Sequence, residues 1–418
     1  MSDGTTIEWT DATWNPITGC SVVSPGCTNC YAMKLAGTRL KHHESRSGLT
    51  KESKSGPVWT GEVRFNEQWL EQPLRWTKPR MIFVCAHGDL FAEGVPDEWI
   101  DQVFAVMALA PQHTFQVLTK RPERMREYLT AASRQSDIAA AGVCIGQSPS
   151  HQFLMRSESW PLPNVWLGVS VEDQKRADER IPILLDTPAA IRWISAEPLL
   201  GPVDISRWTA SAKVTCKKCS HDFWLHDANP CQHEDYGGGW TLACPICGGC
   251  RCKRAWTAAD ERTVAFEPPQ DWIDRKVGRF DKVHPTIEIK SLIDWVVAGG
   301  ESGPGARPMH PDWARSLRDQ CKAAAVPFLF KQWGEWWEVG SEMRDENGKH
   351  LVVDADSHEA SELWDEHFDC LITHDGRRFT PETLPEDTLG RLMSRIGKRA
   401  AGRLLDGIEH DAFPVTGR

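Results

Sequence analysis

Three cysteines, Cys20, Cys27 and Cys30, stand near the start of the chain in the spacing Cys-x6-Cys-x2-Cys. Gly19, Pro25 and Gly26 lie beside and between them, so the segment reads as a loop able to bend three sulfurs toward one point. Thiolates so gathered are metal ligands. A closed structural zinc site takes four protein ligands, whereas three leave the metal a position at which something else binds. The spacing therefore points to a metal centre that does chemistry. Two other readings stay open: a zinc site completed by a distant His or carboxylate, and three reduced thiols in a core.

A second group follows far downstream. Cys216-x2-Cys219 and Cys244-x2-Cys247 have the spacing of a zinc ribbon, in which two knuckles bring four thiolates into a tetrahedron. Cys231, His233, Cys250 and Cys252 are spare candidates, and Lys217, Lys218, Arg251, Lys253 and Arg254 offer a nucleic-acid contact. A module of this size cannot bury a core and depends on its Zn2+ to fold.

The elements that must position the first loop follow from composition and pattern. The chain has 418 residues, 40% hydrophobic and 25% charged, enough for one barrel-sized domain plus a small module. It has no apolar run long enough to span a bilayer, and Met1-Ser2-Asp3-Gly4 has neither a basic start nor an apolar core. A cytoplasmic protein with no membrane partner is expected. There its cysteines read as metal ligands rather than disulfides, with Cys85, Cys144, Cys321 and Cys370 standing apart as buried thiols. A net charge of −10 weighs against a surface that grips nucleic acid all over. Local basic patches remain, Lys34 to Lys54 and Arg395 to Arg403, either as solvated faces or as phosphate contacts. The twenty tryptophans are expected mainly as packing.

Short apolar runs alternate with amphipathic stretches. Strands are expected near 14–17, 81–85, 114–118, 165–169, 191–195, 295–298 and 326–330, and helices from 96 to 109, from 123, from 175 to 185, and from 312, capped by Asp312, to 324. Continuous apolar runs joined by helices make a parallel sheet buried on both faces, so the fold class is α/β, a full or partial parallel (β/α) barrel. The expected division is a barrel over 1–208 and 264–335, an inserted zinc-ribbon-like module over 209–263 and a C-terminal appendage over 336–418 that packs on the barrel. Within the appendage, 371–377 reads as a hairpin arm and 387–403 as a basic helix.

Polar residues sit at the C-terminal end of nearly every strand, the edge at which parallel α/β folds bind ligands. Asp89, Lys120, Arg121, Ser170, Glu172, Glu197, Glu301, Ser302, Lys331 and Gln332 should therefore converge on one mouth, with the cysteine loop opening onto it. Lys120, Arg121 and Lys331 are the expected anion partners. The Gly299-Gly300-Glu301-Ser302 loop lacks the ending of a phosphate-binding loop, so its glycines are expected to serve a close approach or a tight turn.

The string Thr-Trp-Asn-Pro-x-x-Gly-Cys-x6-Cys-x-Asn-Cys-Tyr-Ala resembles the signature of a phage- and prophage-associated family of uncharacterised proteins related distantly to the radical S-adenosylmethionine (SAM) enzymes. The likeness continues through Asp89-Leu90-Phe91, Leu118-Thr119-Lys120-Arg121-Pro122, Gly168-Val169-Ser170-Val171-Glu172, Ser195-Ala196-Glu197-Pro198-Leu199, Ala298-Gly299-Gly300-Glu301-Ser302 and Lys331-Gln332-Trp333-Gly334. The usual radical SAM motif is Cys-x3-Cys-x2-Cys with an aromatic before the last cysteine; here the first gap is x6, Asn29 precedes Cys30 and Tyr31 follows it.

The resemblance implies a 4Fe-4S cluster on Cys20, Cys27 and Cys30, with SAM on the iron that lacks a protein ligand. An electron from a donor partner would cleave SAM and yield a 5′-deoxyadenosyl radical that modifies a substrate, expected to be a nucleic-acid base or nucleotide. By strand order, Asp89 falls near the methionyl amine, Ser170 and Glu172 near the ribose, and Glu197 and Glu301 on polar groups of cofactor or substrate. Glu197, Glu301, Lys120 and Lys331 are the expected catalytic residues, and a partner protein is implied. The alternative is a non-catalytic, zinc- or iron-sulfur-stabilised nucleic-acid-binding phage protein.

Overall fold

The computed structural model describes residues 5, 7–145, 160–209, 213–216, 222–224, 229–232, 240–243, 256–258, 292–339, 343–344, 350–351, 368–385 and 388–414. The chain divides into two compact units, one of Met1–Val203, Trp295–Arg318 and Pro327–Arg418, the other of Asp204–Asp294 and Asp319–Val326. Among the described residues no helix is long and apolar enough to cross a membrane.

Seven strands of the larger unit make one sheet: β1 (Ala12–Trp14), β2 (Met81–Val84), β3 (Thr114–Thr119), β4 (Val165–Ser170), β5 (Ile191–Ala196), β6 (Trp295–Gly299) and β7 (Phe328–Gln332). They lie side by side in chain order, every neighbouring pair is parallel, and the sheet curls into a half-barrel. Strand order that never doubles back, with crossovers of one hand, sends the connecting helices to one face. The first helix is α1 (Tyr31–Gly37), and the crossovers carry α2 (Asp97–Leu109), α3 (Pro122–Thr130), α4 (Arg134–Cys144), α5 (Gln174–Leu185) and α6 (Pro311–Ala323).

Tryptophan fills the other face. Trp9, Phe83, Trp166, Trp193, Trp295 and Leu329 form a buried cluster, with Trp193 seated between Trp9 at 5.2 Å and Trp295 at 5.3 Å between ring centroids. Room for that indole comes from Gly168 on the neighbouring strand: a Cβ there would lie 2.4 Å from the Trp193 ring.

Several expectations shift. The first strand ends at Trp14 rather than running to Ile17, because Asn15-Pro16 interrupts it; Pro16 has no N–H for a ladder and restricts the residue before it. Ile17–Thr18 instead pairs antiparallel with Arg64–Phe65. Asp312 does not cap α6, which starts at Pro311; the Asp312 N–H donates to His310 Nδ1 at 3.2 Å, so His310 satisfies the helix start. The expected basic helix over 387–403 is a strand, Arg391–Arg395, followed by a single turn, Lys398–Ala401. Alternation decides it: Met393 is fully buried while Arg391 and Arg395 face out, and Gly397 stops the run at φ 87°.

That strand lies between Trp336–Glu338 and Cys370–Ile372 in a four-stranded antiparallel sheet, which the 371–377 arm completes by pairing with Arg378–Phe379. The edge of β7 is covered. Phe330 N donates to His410 O at 2.9 Å and Ala412 N to Phe328 O at 3.3 Å, an antiparallel strap that leaves no bare ladder there.

In the smaller unit, Lys213–Cys216 pairs with Asp222–Trp224 and Trp256–Ala258, and Asn229–Gln232 pairs with Trp240–Ala243. The zinc-ribbon ligands, Cys219, Cys244, Cys247 and the side chain of Cys216, lie outside the described residues.

Gly168→Ala should destabilise the protein by about 1–3 kcal/mol, because the indole it strikes is held on both sides. Urea unfolding followed by tryptophan fluorescence measures this; an unchanged midpoint would show that the aromatic cluster is loosely packed.

Candidate functional site

Cys20, Cys27 and Cys30 line one cavity of about 490 Å³ at the C-terminal mouth of the half-barrel. Asp89, Lys120, Arg121, Ser170, Glu197, Glu301, Ser302, Lys331 and Gln332 line it too, so the strand ends and the cysteine loop meet in one place. Glu172 does not line it. Its carboxylate is fully buried beneath the loop, 2.9 Å from Arg180 and within 3.4 Å of the Gly26 N–H. Burial works against the Glu172 charge, but Lys120 and Arg180 outweigh it and hold the carboxyl below the usual range.

The loop is rooted in the sheet. Gly19 makes a parallel bridge to Gly88, with its N–H donating to His87 O at 3.2 Å, and the chain then passes through a 3-10 turn, Pro25–Cys27, into α1, which Cys30 precedes. Behind α1, Ala32, Met33, Ala36, Leu49 and Trp59 make a small core of their own.

Two arginines hold the loop at different points. Arg121, at the end of β3, donates to Asp89 at 3.0 Å, to Glu93 at 2.8 Å, to the Ser21 hydroxyl at 2.6 Å and to Cys20 Sγ at 3.5 Å. Arg307 grips both oxygens of Glu301, at 2.6 and 2.9 Å, and donates to Pro25 O at 3.0 Å. Asn29, beside Cys30, donates to Glu301 at 2.8 Å and to Gly305 O at 2.7 Å, and Lys34 reaches Asn29 Oδ1 at 3.1 Å. Asp89 is thus saturated: Thr119 Oγ1, the Lys120 and Phe91 N–H groups and Arg121 take its two oxygens. Glu197 is different, pairing with Lys331 at 2.9 Å inside the cavity while Ser195 donates to its other oxygen at 3.2 Å.

Electrostatics make the Cys20 and Cys30 sulfurs reluctant anions. Burial, the Asp89 charge and the neighbouring cysteines push the Cys20 thiol up to about 12 against the pull of Arg121. Cys30 is also raised, foremost by burial, although amides of the first turn of α1 and Lys120 favour its thiolate. Among the described residues no three His, Cys, Asp or Glu side chains are drawn together in the way a single ion requires. A single zinc pulls its thiolates in at Zn–S distances of about 2.3 Å. Cys20, Cys27 and Cys30 are free thiols that border one cavity.

Sequence reasoning missed three participants. Arg307 and Asn29 lie in irregular Gly- and Pro-rich segments where no periodicity marks them. Cys85, expected to stand apart, borders the same cavity at the end of β2, in the left-handed region at φ 55°. Of the other three cysteines expected to be buried, Cys321 and Cys370 are, whereas Cys144 is exposed because it ends α4 on the solvent side. The Gly299-Gly300 pair serves a close approach between backbones, since a Cβ on Gly300 would meet Trp333 O at 1.9 Å.

Fold and site together define a parallel α/β half-barrel protein with a three-thiol loop over its mouth. Residues 4–414 match the family described as a protein of unknown function, DUF5131, and the chain belongs to that family. No curated protein and no solved structure matches it.

The Glu301–Arg307 pair has a pH signature. Burial raises the Glu301 carboxyl, but Arg307 and Asn29 outweigh burial and leave it below its ordinary value. A depressed native pKa contributes stability above the unfolded value of about 4.3, and that contribution is lost as pH falls through the native value. Arg307→Met should destabilise by an amount near the low end of about 3–5 kcal/mol, because it strands a buried carboxylate. It should also flatten the fall in stability below pH 4.5; denaturant midpoints between pH 3 and pH 7 for both proteins check this, and parallel curves would refute it.

Proposed function

We propose that this chain is a radical-SAM-like enzyme that holds a 4Fe-4S cluster on Cys20, Cys27 and Cys30. The observation that carries the reading is that three free cysteines border a single cavity at the mouth of a curled parallel sheet, the edge at which such folds bind ligands. When bound, the reduced cluster with SAM on its open iron supplies a 5′-deoxyadenosyl radical.

The chain's own residues hold, orient and exclude. Asp89 and Glu301 act by fixing Arg121 and Arg307 against the cysteine loop, since their carboxylate oxygens are already taken. Glu172 braces the loop from beneath. Ser170, Glu197 and Lys331 remain the polar groups on the cavity wall that can meet the ribose, the methionyl group or the substrate. The Lys331–Glu197 pair, one-fifth and one-seventh exposed by side chain, can open toward a ligand, offering an ammonium to an anion and a carboxylate to a donor. Lys120 adds a second cation on the same wall, which favours a substrate carrying phosphate or carboxylate, as a nucleotide or nucleic-acid base within its strand does. Trp9, Phe83, Leu118 and the Tyr31 ring add apolar surface to the lining, of the kind that helps keep water from a radical. The inserted segment is proposed as a zinc ribbon on Cys216, Cys219, Cys244 and Cys247. The electron donor and any partner protein belong to the same proposal.

Anaerobic reconstitution with iron and sulfide should give about four irons per chain, with reductive cleavage of SAM to 5′-deoxyadenosine. Cys20→Ala, Cys27→Ala and Cys30→Ala should each lose iron and keep zinc, while Cys216→Ala does the reverse. Zinc alone in the purified protein, with SAM left intact, would replace this reading with that of a metal-stabilised binding module.

A further inference from the structure

The three sulfurs are not equivalent. Cys27 has the Ser24 hydroxyl at 3.9 Å, and Cys30 is favoured by the Met33 and Ala32 amides, with Lys120 acting on it only through space. Cys20 alone, among the described residues, takes a hydrogen bond from a charged group, Arg121 Nη1 at 3.5 Å. That guanidinium is 6% exposed and cannot turn away. Asp89 holds Nη1 at 3.0 Å, Glu93 holds Nε at 2.8 Å, and Ser21 takes Nη2 through its hydroxyl at 2.6 Å and its carbonyl at 3.2 Å. Ser21 is in turn tied to Glu93 at 2.9 Å. Two carboxylates and the residue next to Cys20 thus fix one N–H on one sulfur.

Resting on the iron-sulfur reading of the three cysteines, we propose that Arg121 is a positioning residue that sets the reduction potential of the cluster through Cys20. Reduction adds one electron to the cluster, and part of that charge resides on the thiolate sulfurs. A cation donating to one sulfur stabilises the reduced form more than the oxidised form, so it raises the potential. Asp89 and Glu93 set how much of that positive charge the sulfur feels. Asp89 shares the Nη1 that faces Cys20, whereas Glu93, whose side chain is 63% exposed, partly neutralises the guanidinium from the solvent side. Removing Arg121 and removing the Glu93 charge should therefore act in opposite directions, which a merely structural role for either residue would not produce.

The test is a redox titration of anaerobically reconstituted wild type, Arg121→Gln, Arg121→Lys and Glu93→Gln, followed by visible absorbance and by electron paramagnetic resonance of the reduced form. At a fixed solution potential, Arg121→Gln should lower the ratio of reduced to oxidised cluster by about tenfold or more, the effect of losing a hydrogen bond to a charged group. Arg121→Lys should lower it less, because the charge stays and the fork is lost. Glu93→Gln should raise it, and this surface substitution keeps the test decisive even if Arg121→Gln does not load iron. Unchanged ratios in variants that hold wild-type iron overturn this inference and leave the cluster reading standing. A wild type that takes up no iron overturns both.

Discussion

The site depends on one constraint: a loop carrying three sulfurs has little apolar surface of its own, so beyond the small core against which Cys20 and Cys30 pack it is held by charge. The structure meets this with two guanidinium–carboxylate pairs, the buried Arg121 with Asp89 and the half-buried Arg307 with the buried Glu301. A buried ion pair is a poor source of net stability, because desolvating both ions offsets their attraction. What it provides is direction. Each arginine has five donors in a rigid plane, and after satisfying its carboxylate it has donors left over for the loop: Arg121 for Ser21 and Cys20, Arg307 for the Pro25 carbonyl.

The sheet makes this clamping possible. Parallel strands in chain order bring every strand's C-terminal end to one rim, so residues far apart in sequence arrive together. The rim stays open because the concave side below it is plugged by Trp166, Trp193 and Trp295, with Trp9 as the floor of the cavity. Among the described residues, Trp14, Trp59, Trp208, Trp313 and Trp333 are buried as well, so these tryptophans serve packing, and the strap at residues 410–412 finishes the β7 edge that a half-barrel leaves exposed.

Much of this was legible in the sequence, for a physical reason. A strand buried on both faces must be largely apolar and must end where polar groups begin, so runs such as Val165–Val169 and Trp295–Ala298 announce both the sheet and its mouth. The same reasoning cannot say which way a polar residue turns. Glu172 and Glu197 both follow a strand end, yet Glu172 is taken under the loop by Arg180, which α5 presents from behind, and Glu197 stays in the cavity with Lys331. Arg391 to Arg403 carries enough charge to resemble a helix face, and only burial of Met393 against the C-terminal sheet selects a strand. Arg307 and Asn29 were illegible because their partners are set by tertiary approach between irregular segments.

The strap and the clamps also order events during synthesis. The cysteine loop emerges from the ribosome among the first residues, whereas Glu301, Arg307 and the strap over β7 belong to the last third of the chain. Until those arrive, the thiols sit on an unfinished rim, open to solvent and to oxidants, and native pairing must span most of the chain, which slows the search. A protein built this way benefits from reduced surroundings until its final strand is in place.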